Sequence, residues 1–217
     1  VRRIVGVLTL IVLGSKAAAA QICLGRPSLA TWSANTSVRA DRRDGASGFG
    51  LGASAGSDRA FGGVSASRLR YAELDANVTA VAASAGWSVV PSISTLYVCP
   101  ILQAAYGRGP NNEATNTTRS SLSALAGLAV AGQIAVTSRV SLIPNVSAGV
   151  LVQRSSQRTD EVSSAGSDIG GTVSGGVSVL LNQRIAVQPA VRIPIGFSDR
   201  EPVYSLGVTV GFAPARR

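Results

Sequence analysis

The sequence predicts an all-β chain: an antiparallel, up-and-down transmembrane β-barrel preceded by an export signal. Three observations carry this expectation. Apolar and polar residues alternate with period two through most of the second half, which is how a strand looks when its two faces meet different environments. Charged residues are 14% of the 217-residue chain and apolar ones 46%, too little charge for a surface built to face water. The connections between alternating segments switch between short and long, as they do when successive turns lie on opposite sides of a bilayer.

The chain opens with Arg2 and Arg3, then an apolar run from Ile4 to Leu13, then the small residues Ala18 and Ala20. This is the order of a secretory signal, with cleavage expected after Ala20 and Gln21 as the first mature residue. The apolar run is about half of the ~20 residues a membrane-spanning helix needs. Residues 1–20 are therefore expected to be a signal peptide, 21–31 an N-terminal periplasmic segment and 32–217 the barrel. Losing the signal removes Arg2, Arg3 and Lys16 and leaves a net charge of +6. Nucleic acid is not the expected partner of that charge, because the chain is exported and its arginines are dispersed.

The clearest alternation runs from Leu122 to Val136, where Leu122, Ala124, Ala126, Leu128, Val130 and Ile134 share one face. Val140, Leu142, Val146, Val150 and Val152 repeat it, as do Ile185, Val187, Val191, Ile193 and Ile195; Leu125, Ile143 and Leu151 break it by falling on the polar face. Strands are expected near 33–41, 46–56, 59–71, 76–89, 94–107, 119–135, 139–154, 169–181, 184–197 and 203–212, about ten in all, with eight the alternative count. Short turns fall at Ser57-Asp58, Val90 to Ile93, Thr137-Ser138 and Asn182-Gln183. Longer or more charged loops are expected at 42–45, 72–75, 108–118, 155–168 and 198–202. An even strand number returns both ends to the periplasm.

Charge and aromatic placement distinguish lipid from water on the outer wall. All 11 acidic residues fall in the expected loops or at strand edges. Arg39, Arg68, Arg70 and Arg192 lie within strands and are expected to face inward, since a charge against lipid at mid-depth costs about 2–4 kcal/mol. Phe49, Tyr71, Tyr106, Phe197 and Tyr204 crowd one side and Trp32, Phe61, Trp87, Tyr97 and Phe212 the other, as interfacial girdles do, although Tyr97 has inward parity.

Residues 205–212 read SLGVTVGF. With Ser205, Gly207, Val210 and Phe212 at its marked positions, this segment resembles the C-terminal recognition signal of bacterial outer-membrane barrels, although APARR follows Phe212. The mature chain resembles small OmpA/OmpX-like barrel domains in architecture. The resemblance implies location in the outer membrane, recognition by the barrel assembly machinery, and outer-membrane lipid and lipopolysaccharide as surroundings. It implies no activity.

The chain contains no histidine, which excludes Ser-His-Asp hydrolysis, Cys-His nucleophiles and histidine-ligated metals. The acids are scattered, so no catalytic, cofactor-binding or metal-binding residues are assigned, and no enzyme or cofactor is expected. The stretch GFGLGASAG at 48–56 lacks the spacing and following helix of a phosphate loop; small residues facing a crowded lumen account for it. Cys23 and Cys99 are the only cysteines, and in an exported chain they are expected to form a disulfide tethering the N-terminal segment inside the barrel mouth. Inward positions mix small residues (Gly127, Ser147, Gly149, Gly196) with long ones (Gln103, Gln188, Arg39, Arg192), which points to a largely closed lumen with Arg39 and Arg192 as its charge. The expected function is a structural or surface-interaction barrel whose exposed loops contact a ligand the sequence does not identify. A narrow pore for small, anionic solutes and a secreted lipocalin-like barrel are the alternatives.

Overall fold

In the computed structural model, residues 20–27, 32–57, 59–72, 76–89, 96–109, 117–159, 162–197 and 201–212 are described. The expected signal segment before Ala20 lies outside them, as do Asp58, Glu73, Asp75, Glu113, Asp160, Glu161 and Asp199. A short 3-10 turn, Ala20–Leu24, precedes the strands β1 (Trp32–Arg43), β2 (Ala46–Ser57), β3 (Ala60–Tyr71), β4 (Ala76–Trp87), β5 (Leu96–Arg108) and β6 (Thr118–Gly132). Then follow β7 (Ile134–Ala135), β8 (Val140–Arg158), β9 (Ser163–Leu181), β10 (Ile185–Ile195) and β11 (Val203–Phe212). Successive strands pair antiparallel, except that β6 and β7 both pair with β8, and β1 pairs with β11 from Ala34↔Phe212 to Arg42↔Tyr204, so the sheet closes on itself.

The barrel has ten strands, because β7 is a continuation of β6. β6 and β7 pair with β8 in one register, Ala131↔Asn145 and then Ile134↔Leu142. The ladder lapses between them beside Pro144, which has no N–H to donate. Closure leaves no sheet edge, the condition for crossing a bilayer with strands.

Two loop expectations need correction. The segment 42–45 is a tight connection, with β1 running to Arg43 and β2 starting at Ala46; Gly45 supplies the positive φ of 62° that such a turn needs. The segment 155–168 is mostly strand: β8 and β9 are 19 residues each and stay in register out to Arg158↔Ser163. Its Ser- and Gly-rich composition reads as loop because this part of the hairpin projects past the apolar band, where neither face needs to be apolar. Two ends are thereby defined, a short-turn end carrying both chain termini of the barrel and a long-loop end carrying the β8–β9 hairpin.

Alternation sorts the walls. Val38, Leu51, Val64, Val81, Leu122 and Val150 each expose between 56% and 63% of their surface on the outside. An apolar wall of this extent is paid for only in lipid. A water-soluble lipocalin-like barrel does not fit it. On the inside, Gly48, Gly50, Gly52, Ser54 and Gly56 of β2 leave space for the contents of the lumen.

Candidate functional site

The lumen holds the N-terminal segment at its short-turn end. Ile22 and Cys23 are buried there against Tyr97, Cys99, Ala129, Ala131, Ile143, Leu180 and Ala186. Ile143, an exception in the alternation, is fully buried because this apolar plug, not water, fills the lumen beside it. Cys23 and Cys99 are joined by a disulfide with 6.2 Å between their Cα atoms, closing a loop over a separation of 76 residues. Asn35 Nδ2 donates to the Pro27 carbonyl at 3.3 Å, and Gln188 Nε2 donates to the Gly25 carbonyl. Thr209 Oγ1 in turn donates to Gln188 Oε1 at 3.1 Å, which fixes the amide's orientation. Gly25 has φ of 67°, and a Cβ there would meet Ser178 Oγ at 2.2 Å, so only glycine fits this bend.

Above the plug lies a polar cavity of about 450 Å³ lined by Arg26, Arg39, Asp41, Gln103, Gln188 and Arg192, among others. Arg39 Nε lies 2.9 Å from Asp41 Oδ1, and Asp41 is only 7% exposed. Arg39 sits in register with Gly50 on β2 and Gly207 on β11, so the wall on both sides of its side chain is bare. Burial first, and then the charge of Arg39, lower the pKa of Arg26 from its ordinary value; a guanidinium stays protonated regardless. Arg192 is repelled by Arg39 and attracted by Asp41. The structure therefore gathers Arg39 and Arg192, the two arginines singled out from the sequence, and adds Arg26, which sequence reasoning missed. The signal for it was there: Cys23 lies three positions earlier, and a bridge to inward-facing Cys99 carries Arg26 into the lumen with it.

Other side chains stand elsewhere than their sequence suggests. Arg68 and Arg70 face outward, because Arg68 pairs with Phe49 and shares the parity of Val64. Small residues from Ser65 to Ser67 hide that parity, and Phe61 and Leu69 invert its apparent sense. Arg68 Nε donates to Asn77 Oδ1 at 3.2 Å on the outer wall. With Arg108 and Arg154, also exposed and outward by register with Ser120 and Leu122, they lie at and just beyond the level of the outward Phe49, Tyr106 and Tyr204. Lipid headgroups meet a barrel at that level. Tyr71 faces the lumen with Arg43 stacked 4.6 Å from its ring centroid, and Phe61 and Tyr97 are buried inside. Among the described side chains, the girdles comprise Phe49, Tyr106 and Tyr204 at the long-loop end and Trp87 and Phe212 at the other, the Trp32 side chain lying outside the described ones.

On β11, Phe212 and Val210 lie on the outward parity, Ser205 and Gly207 on the inward one. Among the described residues, no three His, Cys, Asp or Glu side chains gather as a metal site would require.

A closed antiparallel barrel with an apolar outer wall, aromatic rims and a polar lumen is an outer-membrane β-barrel. The β domain of the Bordetella autotransporter BrkA shares this fold, at a TM-score of 0.51 and 13% identity over 84% of this chain and 99% of that one. The N-terminal β-barrel domain of Pseudomonas aeruginosa OprF (14% identity, 83% and 97% covered, TM-score 0.38) is also similar. So is the attachment invasion locus protein Ail of Yersinia pestis (12%, 84% and 97%, 0.42). No family model matches the chain, and no curated protein matches it.

Proposed function

We propose that the protein is a non-catalytic structural and surface-interaction barrel of the outer membrane, closed at its periplasmic mouth. The observation that carries this is the plug, in which residues 22–27 fill the lumen at one end under a covalent tether. Barrels of this strand number leave an interior that side chains nearly fill, whereas open channels use sixteen strands or more.

Residues 1–20 act as the export signal, cleaved after Ala20, and Ser205, Gly207, Val210 and Phe212 are read by the barrel assembly machinery. The outward Arg68, Arg70, Arg108 and Arg154 are matched in charge to the phosphates of lipopolysaccharide, and guanidinium forks suit phosphate oxygens. The projecting β8–β9 hairpin is the surface offered to an extracellular ligand.

The net-positive lumen favours one second reading, a narrow anion pore. Planar-bilayer recording of the oxidised mature protein separates the two. A closed barrel gives no reproducible conductance; anion-selective conductance lost on Arg39→Ser or Arg192→Ser would replace this reading with the pore.

A further inference from the structure

The lumen above the plug collects more positive charge than it balances. Arg26 from the N-terminal segment, Arg39 and Arg43 from β1 and Arg192 from β10 line one cavity, Arg43 being stacked on Tyr71, and among the described residues Asp41 is the only carboxylate of its lining. Asp41 is engaged by Arg39, and the charge of Arg39 opposes both of the others. Charges held together in a confined, partly desolvated space are expensive unless an opposite charge joins them.

Three further features make this a site and not a scatter of cations. The guanidinium groups come from three separate elements: β1 and β10, which flank β11 in the wall, and the N-terminal segment inside the lumen. Gly50 and Gly207 flank Arg39 in register and keep the wall beside it bare. Covalent tethering of Cys23 fixes Arg26 in place, three residues along. Planar forks lining one cavity suit a ligand with several oxygens far better than a spherical halide, because each fork donates two parallel hydrogen bonds.

We propose that this cavity binds a small tetrahedral oxyanion of charge −2, of the phosphate or sulfate class, between Arg26, Arg39 and Arg192. The lumen is then a blind receptor well whose floor, the disulfide-held plug, contributes a ligand. This goes beyond the structural role above and does not depend on it, since binding is read by calorimetry and closure by conductance.

The test is isothermal titration of the oxidised mature protein, folded in a zwitterionic detergent, with inorganic phosphate, sulfate and chloride at matched ionic strength. Phosphate or sulfate should bind at one saturable site, with at least tenfold preference over chloride. Arg192→Gln and Arg26→Gln should each weaken that binding at least tenfold, whereas Arg139→Gln, exposed in the turn before β8 and away from the cavity, should leave it unchanged. Asp41→Asn should tighten it severalfold by removing the competing carboxylate, a gain that misfolding does not mimic. Preference for one of the two oxyanions identifies the source. Absence of saturable heat, chloride binding as tight as phosphate, an equal loss in Arg139→Gln, or no tightening in Asp41→Asn would overturn the proposal.

Discussion

Replacing both Cys23 and Cys99 by alanine tests what holds the plug. Alanine is chosen because a serine hydroxyl would be buried at positions 2% and 0% exposed. Ordering residues 21–27 costs about 1–2 kcal/mol each, about 10 kcal/mol together. Against this, burial of Ile22 contributes about 1.5–3 kcal/mol, and full burial of Pro27 with partial burial of Leu24 adds about as much again. The hydrogen bonds from Asn35 and Gln188 add about 1 kcal/mol each. The non-covalent contacts thus fall a few kcal/mol short, and closing a loop over 76 residues contributes about 4 kcal/mol in the chain-entropy model. The alanine pair should therefore release the segment while the strand ladder persists. A broad-specificity protease, needed because Pro27 shields Arg26 from trypsin, should remove it within minutes, and the barrel should keep its heat-modifiable mobility. A variant whose N-terminal segment resists cleavage like the wild type would show that packing alone holds the plug, and the ledger above would be wrong.

Two other substitutions probe the same design at different places. Gly25→Ala imposes a left-handed conformation costing about 1–2 kcal/mol on a residue with a Cβ and drives that Cβ into Ser178 Oγ. The oxidised variant should show raised protease sensitivity around residues 24–27, partly reversed by Ser178→Ala; unchanged protection would refute the tight fit. Val150→Arg places a charge on the outer wall within the apolar band and should lower folded-state stability in vesicles by about 2–4 kcal/mol in urea titration, whereas Ser156→Arg, beyond the band on the same strand, should cost about 0–1 kcal/mol. Equal effects at the two positions would mean that the membrane does not lie where the apolar wall indicates.

Much of this fold is legible in the sequence because lipid enforces alternation wherever Leu, Val and Ile face it. From Leu122 to Val152 most large residues share one parity and the structure sets them on the outer wall, while Leu125, Ile143 and Leu151 take the inward parity that their positions give them. Alternation fades where both faces carry small residues. Ser65, Ala66 and Ser67 give no parity of their own, so Arg68 and Arg70 read as inward when register turns them out. It also fails where the lumen is locally apolar: Ile143 and Tyr97 look misplaced until the plug beside them is known. The arginine cluster was two-thirds visible, through Arg39 and Arg192. Arg26 belongs to no strand and has no parity, so only the covalent link at Cys23 betrays its position.

That link also constrains the order of events in biogenesis. Both sulfur-bearing residues end up inside the cylinder, beyond the reach of a protein-sized oxidant once β1 meets β11. A bond made by such an oxidant is therefore made while the seam is still open. Closing the seam then encloses a finished crosslink and its passenger residues, much as a lid is set on a box already packed. A chain that closes its seam unoxidised shuts two thiols away from any protein catalyst, so the order of oxidation and closure decides whether the plug is tethered.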